Sequence, residues 1–209
     1  MNPLVTVVVS TLRRPTQLRA CLYGLAYQKL SLSQFEVIVL DEADDAETAS
    51  LVRTVSQETG LQTRYLRHAR RRGMSSPHNR GWRLATSLFV AFTHDNCVPH
   101  PLWLTTALPL FGQGAQVVVG RVQYALPTYA GAAATTLSAN LFCRRATLTE
   151  LNGLNEARMD TTGPEAWLQS LARQGIRVTP CPEAVVVVQV EPLSWYTKIG
   201  HSLRRLLRT

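Results

Sequence analysis

Apolar residues fall along this chain in short blocks, separated by longer stretches with helical spacing. Leu4 to Val9 is a β-branched run too short for a helix, which predicts a buried strand. Pro15 can open a helix, and Leu18, Cys21, Leu22 and Leu25 then recur every three or four residues, so one helix face is buried. Phe35 to Leu40 predicts a second strand, Ala46 to Thr59 a helix and Thr63 to Leu66 a third strand. Ser75 to Ser87 predicts a helix with Pro77 in its first turn. Leu88 to Thr93 predicts a fourth strand, Pro101 to Phe111 a single helix and Gln116 to Gly120 another strand. Leu137 to Arg144 reads as extended chain and Glu165 to Gln174 as a helix. Ile176 to Val178 and Val185 to Val190 read as two further strands.

Strands alternating with helices predict an α/β fold, with a mostly parallel central sheet covered by helices on both faces. The 209 residues suffice for one core and not comfortably for two, so residues 1–191 form one domain. Residues 192–209 differ in composition and stand apart. Parallel sheets bind ligands at the carboxyl ends of their strands, which puts Thr11, Asp41 and Asp95 on one rim although they are far apart in sequence.

The chemistry available at that rim is acidic and phosphate-directed. A carboxylate at Asp41 can accept from ribose hydroxyls or a base N–H, or it can serve the helix that follows, for which Asp44 and Asp45 are better caps. Asp95 offers a hard oxygen to a divalent cation, and His94 a nitrogen that Mn²⁺ tolerates better than Mg²⁺. Arg70, Arg71, Arg72 and Gly73 lead into the helix that Pro77, His78 and Asn79 begin, where backbone amides and the helix dipole favour an anion.

The net charge of +8, from 22 Lys and Arg against 14 Asp and Glu, agrees with an anionic partner. Nucleic acid is a poor fit, because no aromatic series interleaves with the cations between Arg64 and Arg83. The four cysteines form no close pair, which argues against a zinc site and for reduced, buried thiols. No basic segment precedes the first apolar run, and no run approaches the ~20 residues that span a bilayer. A cytoplasmic location follows as an expectation.

Over roughly residues 4 to 190 the chain resembles family 2 glycosyltransferases of the GT-A fold, a Rossmann-like architecture. Val7-Val8-Val9-Ser10-Thr11-Leu12-Arg13-Arg14-Pro15 resembles the family's opening strand and loop. Phe35-Glu36-Val37-Ile38-Val39-Leu40-Asp41-Glu42 resembles its second strand, and Arg71-Arg72-Gly73 through Asn79-Arg80-Gly81 its N-x-G-x-x-x-A-R-N-x-G segment. Phe92-Thr93-His94-Asp95-Asn96-Cys97-Val98-Pro99 resembles the strand end that carries the metal-binding Asp-x-Asp. Asn140 to Arg145 and Gly153-Leu154-Asn155-Glu156 resemble two later elements. Each piece is short, but their order and spacing together are specific.

The resemblance implies inverting transfer of a sugar from a nucleoside-diphosphate sugar to an acceptor hydroxyl, in glycan or glycolipid synthesis. It implies nucleotide binding by Thr11, Arg13, Asp41, Gly73 and Asn79. Asp95, with His94 and Asn96, would hold a divalent cation, Mn²⁺ or Mg²⁺, or the diphosphate. Arg71, Arg72 and His78 would add charge beside the diphosphate.

Three departures bear on mechanism. The Asp-x-Asp motif reads His94-Asp95-Asn96, so two anionic ligands are missing and the cation is held weakly or is dispensable. The position expected to supply the general base is Gly163, which leaves Asp160 and Glu165 as candidates. Gln189 stands where a His often ends the last apolar strand. A nucleotide-sugar-binding homologue with weak or no catalysis, a sensor or partner subunit, is therefore the alternative reading.

In the tail, Trp195, Ile199, Leu203 and Leu206 share one helical face flanked by Lys198, Arg204, Arg205 and Arg208. That pattern predicts an amphipathic helix, either lying on acidic lipid near a lipid-linked acceptor or packed on the domain.

Overall fold

The computed structural model describes residues 3–68, 77–125, 137–154 and 164–189, with the backbone alone for 164–167. Eight strands form one sheet in the order β3-β2-β1-β4-β7-β6-β8-β5. They are β1 (Val5–Thr11), β2 (Phe35–Asp41), β3 (Thr63–Arg67), β4 (Phe89–His94), β5 (Cys97–Pro99), β6 (Val117–Tyr124), β7 (Leu141–Arg144) and β8 (Val178–Val188). Four of the pairings are parallel: β1 with β2, β1 with β4, β2 with β3, and β6 with β8. The short β7 runs antiparallel to β4 and β6, and β5 antiparallel to β8.

β1 and β2 are buried almost throughout, which explains why their sequences read as continuous apolar runs instead of alternating ones. Val5, Val7 and Val9 face one core, closed by helices α1 (Pro15–Ala26), α2 (Ala46–Thr59), α4 (Trp103–Ala107) and α5 (Pro109–Gly112). Val8, Ile38, Leu40 and Phe92 face a second core, against α3 (Pro77–Leu84), α6 (Arg145–Glu150) and α7 (Pro164–Arg173). Gly81 lets α3 lie directly on β1, because a Cβ there would overlap the Val8 side chain.

The chain departs from the sequence expectations in four places. The helix expected over Pro101 to Phe111 is two, because Pro109 has no amide hydrogen and its ring interrupts the preceding turn. Leu137–Asn140 is a 3₁₀ turn and not extended chain. The buried Asn140 amide donates to the carbonyls of Arg121 and Ala184, and its oxygen accepts from the Trp103 indole. The two strands expected near the end are one, β8; Pro182 falls in the stretch skipped by a register shift between Gly120 and Arg121, while Pro180 stays in register with Val119. β5 was not foreseen; three residues carry too little pattern to read.

Candidate functional site

The strand order reverses at β1. The chain proceeds from β1 outward to β2 and β3, then returns to β4 on the other side of β1. A crevice at the carboxyl ends of β1 and β4 is where such a sheet binds ligands. Register places Thr11 opposite Asp41 and Ser10 opposite His94 at that edge. The ladder continues past the strands: the Glu42 amide donates to the Thr11 carbonyl, and the Asp95 amide to the Ser10 carbonyl. Thr11, Asp41 and Asp95 thus share one rim, as the hydrophobic pattern predicted.

Asp95 is 4% exposed. Its Oδ2 accepts from the Thr11 hydroxyl at 2.9 Å and from the Leu12 amide at 3.4 Å. Its Oδ1 lies 3.6 Å from Nη1 of Arg14, whose side chain is half exposed. Burial raises the Asp95 carboxyl above the usual range; the Thr11 hydroxyl, the Arg14 charge and the Leu12 and Asn96 amides oppose that rise.

His94 faces the other side of the sheet. Its Nε2 lies 3.0 Å from the Ser138 hydroxyl, and its ring stacks on His78 with centroids 5.3 Å apart and planes 26° apart. Removal from water, then the charges of His78 and Arg14, push its pKa down to about 3, so at neutral pH it is an uncharged imidazole. His78, at the start of α3, is buried; its Nε2 lies 3.4 Å from the Ser10 hydroxyl and its ring meets Phe92 edge-on.

Asp41 is fully buried, and its carboxylate organises the loop that follows. Oδ1 accepts from the Ala43 amide at 2.9 Å, while Oδ2 accepts from the Asp45 amide at 2.8 Å and the Tyr65 hydroxyl at 2.7 Å. Asp45 is the N-cap of α2, accepting from the Glu47 amide. Burial and then the Asp41 hydrogen bond push the Tyr65 phenol well up.

The other expected residues fall in three groups. Arg13 is exposed and takes a left-handed backbone conformation, φ 53°, in the turn after β1. Asn96 is part of the turn after β4; its carbonyl accepts from the Gln189 amide, which brings the end of β8 to the Asp95 loop. Among the described residues the buried Gln189 Oε1 has no hydrogen-bond partner. The nucleotide contact expected of Asn79 is not carried by its geometry. Its Nδ2 donates to the Leu154 carbonyl, and its Oδ1 accepts from the Leu154 amide and the Trp82 indole, so it braces the Gly153 turn. Gly73, Arg71, Arg72 and Asp160 lie outside the described residues, as do Gly163 and the tail. Glu165 lies in the first turn of α7, its side chain likewise outside the description.

Sequence reasoning did not single out Arg14, Tyr65, Ser10 or Ser138. Their neighbours were named from motifs, whereas these four are brought in by register and loop closure, which no spacing in the sequence announces.

The arrangement is an α/β domain with a topological switch point at β1, and its sequence relationships give the family. The profile of Glycosyl transferase family 2 matches residues 6–180, and the chain belongs to that family. Glycosyltransferase AglE of Haloferax volcanii is 25% identical over 126 residues, covering 60% of this chain and 41% of that protein. Hyaluronan synthase of Pasteurella multocida is 32% identical over 102 residues, covering 48% of this chain and 10% of that protein. The chain therefore spans less than half the length of these relatives. Among solved structures, the mannosyltransferase PcManGT from Pyrobaculum calidifontis, in complex with GDP-Man and Mn²⁺, superposes with a TM-score of 0.72 at 21% identity. The match covers 95% of this chain and 60% of that one. S. aureus TarS 1-349 in complex with UDP-GlcNAc gives 0.58 at 19% identity, covering 73% and 48%. At these identities the likeness establishes the GT-A-like fold.

A divalent cation such as the Mn²⁺ of PcManGT needs several hard oxygen ligands. The described residues do not supply such a set by themselves. No three His, Cys, Asp or Glu side chains among them converge on a point. Asp95 is the carboxylate at the end of β4, and both its oxygens face donors of this chain.

Proposed function

We propose that this domain transfers a glycosyl group from a nucleoside-diphosphate sugar to an acceptor hydroxyl, with inversion at the anomeric carbon. The observation that carries the reading is the juxtaposition of Thr11, Asp41 and Asp95 at the switch point of the sheet. Family membership and the nucleotide-sugar complexes of PcManGT and TarS support it. Asp41 and its loop would receive the nucleoside, and the Arg13–Arg14 turn would lie beside the diphosphate. Asp160 or Glu165 would take the acceptor's proton as its oxygen attacks and the diphosphate departs from the opposite face. Cationic groups at the diphosphate then stabilise the charge that develops on the leaving group. A thermal-shift screen of nucleotides and nucleotide-sugars, followed by NMR of the product anomer, tests this. Failure of every nucleotide to raise the melting temperature would overturn it, and a retained anomeric configuration would overturn inversion.

A second reading has one observation in its favour: Gly163 occupies the position where a base is expected. Binding without transfer would make the domain a nucleotide-sugar sensor or partner subunit. Donor binding with no loss of donor over long incubation, across acceptors, would favour it. Residues 192–209 would rest on the cytoplasmic face of a membrane, close to a lipid-linked acceptor. No helix among the described residues is long and apolar enough to cross one. Co-sedimentation with anionic vesicles should fall when 192–209 is removed; equal binding would discard the membrane contact.

A further inference from the structure

The end of β4 is built differently from a metal site, and the difference points to a replacement for the metal. A cation bridging Asp95 and a diphosphate would have to sit against Asp95 Oδ1, because Oδ2 is turned to the Thr11 hydroxyl and the Leu12 amide. Facing Oδ1 is instead the guanidinium of Arg14, 3.6 Å away, on a side chain that is half exposed. The neighbouring position, where a second carboxylate would complete a cation site, is His94. It lies within hydrogen-bond distance of Ser138 and is stacked on His78, on the opposite side of the sheet. The turn that carries Arg14 is held in place: Asp95 accepts from the Leu12 amide, Arg13 adopts φ 53°, and Arg14 is the N-cap residue of α1. Guanidinium is the side chain best matched to phosphate oxygens, having several donors in a fixed plane and a charge independent of pH. One nitrogen of Arg14 faces Asp95, and its exposure leaves further donors for a ligand.

We infer that Arg14, anchored by Asp95, binds the donor's diphosphate in place of a divalent cation, so that nucleotide binding by this protein is independent of metal. The inference rests on the proposed function and names a residue and a metal requirement that the function alone does not.

The test is isothermal titration of UDP, GDP and the corresponding nucleosides into the full chain, in EDTA and in excess Mn²⁺. The expected result is one affinity for the preferred diphosphate in both media. Arg14→Gln should weaken the diphosphate by roughly tenfold or more while leaving the nucleoside unchanged, since a charge-assisted contact to phosphate is lost and nothing at the base is touched. A general loss of structure would weaken both ligands together. Binding that requires Mn²⁺ in the unaltered protein would overturn the inference and leave the donor reading standing. An Arg14→Gln protein with undiminished diphosphate affinity would also overturn it. No binding of any nucleotide in either medium would remove the proposed function and the inference together.

Discussion

The Thr11 hydroxyl donates to Asp95 Oδ2 across 2.9 Å, tying together the ends of two neighbouring strands 84 residues apart in sequence. Each strand is an apolar run that stops at a polar residue, and the bond makes those two stops one site. The enclosure has a cost: burial holds the Asp95 carboxyl above its usual range, against the Thr11 bond itself. The native chain binds that proton more tightly than the unfolded chain does. Ionising Asp95 therefore costs stability as pH rises from the ordinary carboxyl range through the raised native value. Asp95→Asn removes the ionisation, so its stability relative to the parent should be greater at about pH 7 than at about pH 4. Urea denaturation at both values measures this; a relative stability that falls with pH would contradict it.

Tyr65 donates to the same oxygen of Asp41 that accepts from the Asp45 amide. Tyr65→Phe deletes that donor and leaves a buried carboxylate with two backbone amides. A stability loss of about 1–2 kcal/mol is expected, with weaker binding of the nucleoside itself. Because Tyr65 acts through Asp41, the loss should appear for uridine or guanosine as much as for the diphosphates. Titration of both ligand sets checks it, and a defect confined to the diphosphates would place Tyr65 at the other end of the ligand.

The parts of this architecture that were legible in the sequence are those where a single strand or helix buries one face. β1, β2 and β4 announced themselves as β-branched runs ending in Thr11, Asp41 and His94-Asp95, and their parallel register alone brings these ends together. What could not be read depends on contacts between distant segments. Asn140 stood in a recognisable motif, yet its work is to fill the space beside Gly120 and satisfy two carbonyls at the bulge of β6 and β8. Asn79 likewise read as a ligand contact from its motif, while its amide in fact faces the Leu154 main chain. The single long β8 was read as two strands, because its middle, Pro182 to Ala184, leaves the ladder at the register shift between Gly120 and Arg121.

Asn140→Ala should be among the most damaging single changes outside the site. It strands the Trp103 indole N–H and the carbonyls of Arg121 and Ala184, each in or near the core, and opens a cavity beside Gly120. Unmet buried groups cost about 1–3 kcal/mol each, so a total near ~3–5 kcal/mol is expected. Chemical denaturation gives the value; a change under ~1 kcal/mol would mean that water replaces the amide.

His94 imposes an acid limit on the fold. Its pKa falls from 6.5 to about 3 on folding, so the unfolded chain takes up a proton that the native chain refuses. The stability this represents is present above pH 6.5 and is lost as pH falls from there through about 3. At about 1.4 kcal/mol per pKa unit, the full effect is on the order of 5 kcal/mol. His94→Asn keeps a partner for Ser138 and removes the titration. The variant's stability should then vary less between about pH 4 and about pH 6.5 than the parent's. Identical pH profiles would show that His94 is already charged in the native state.

The proposed catalytic base can be assigned by two conservative changes. With Gly163 unable to take a proton, the nearest carboxylates in sequence are Asp160 and Glu165, and Glu165 stands in the first turn of α7. A positioned general base contributes roughly 10²- to 10⁴-fold. If Glu165 fills that role, Glu165→Gln should lower the transfer rate by that factor and leave donor affinity unchanged. Asp160→Asn should then behave as the parent does; the reverse pattern would assign the role to Asp160. The pH–rate profile adds an independent readout, since losing the base should flatten its acid limb. Full rates in both variants would mean that neither carboxylate receives the proton, and catalysis here would rest on alignment and on charge at the departing diphosphate alone.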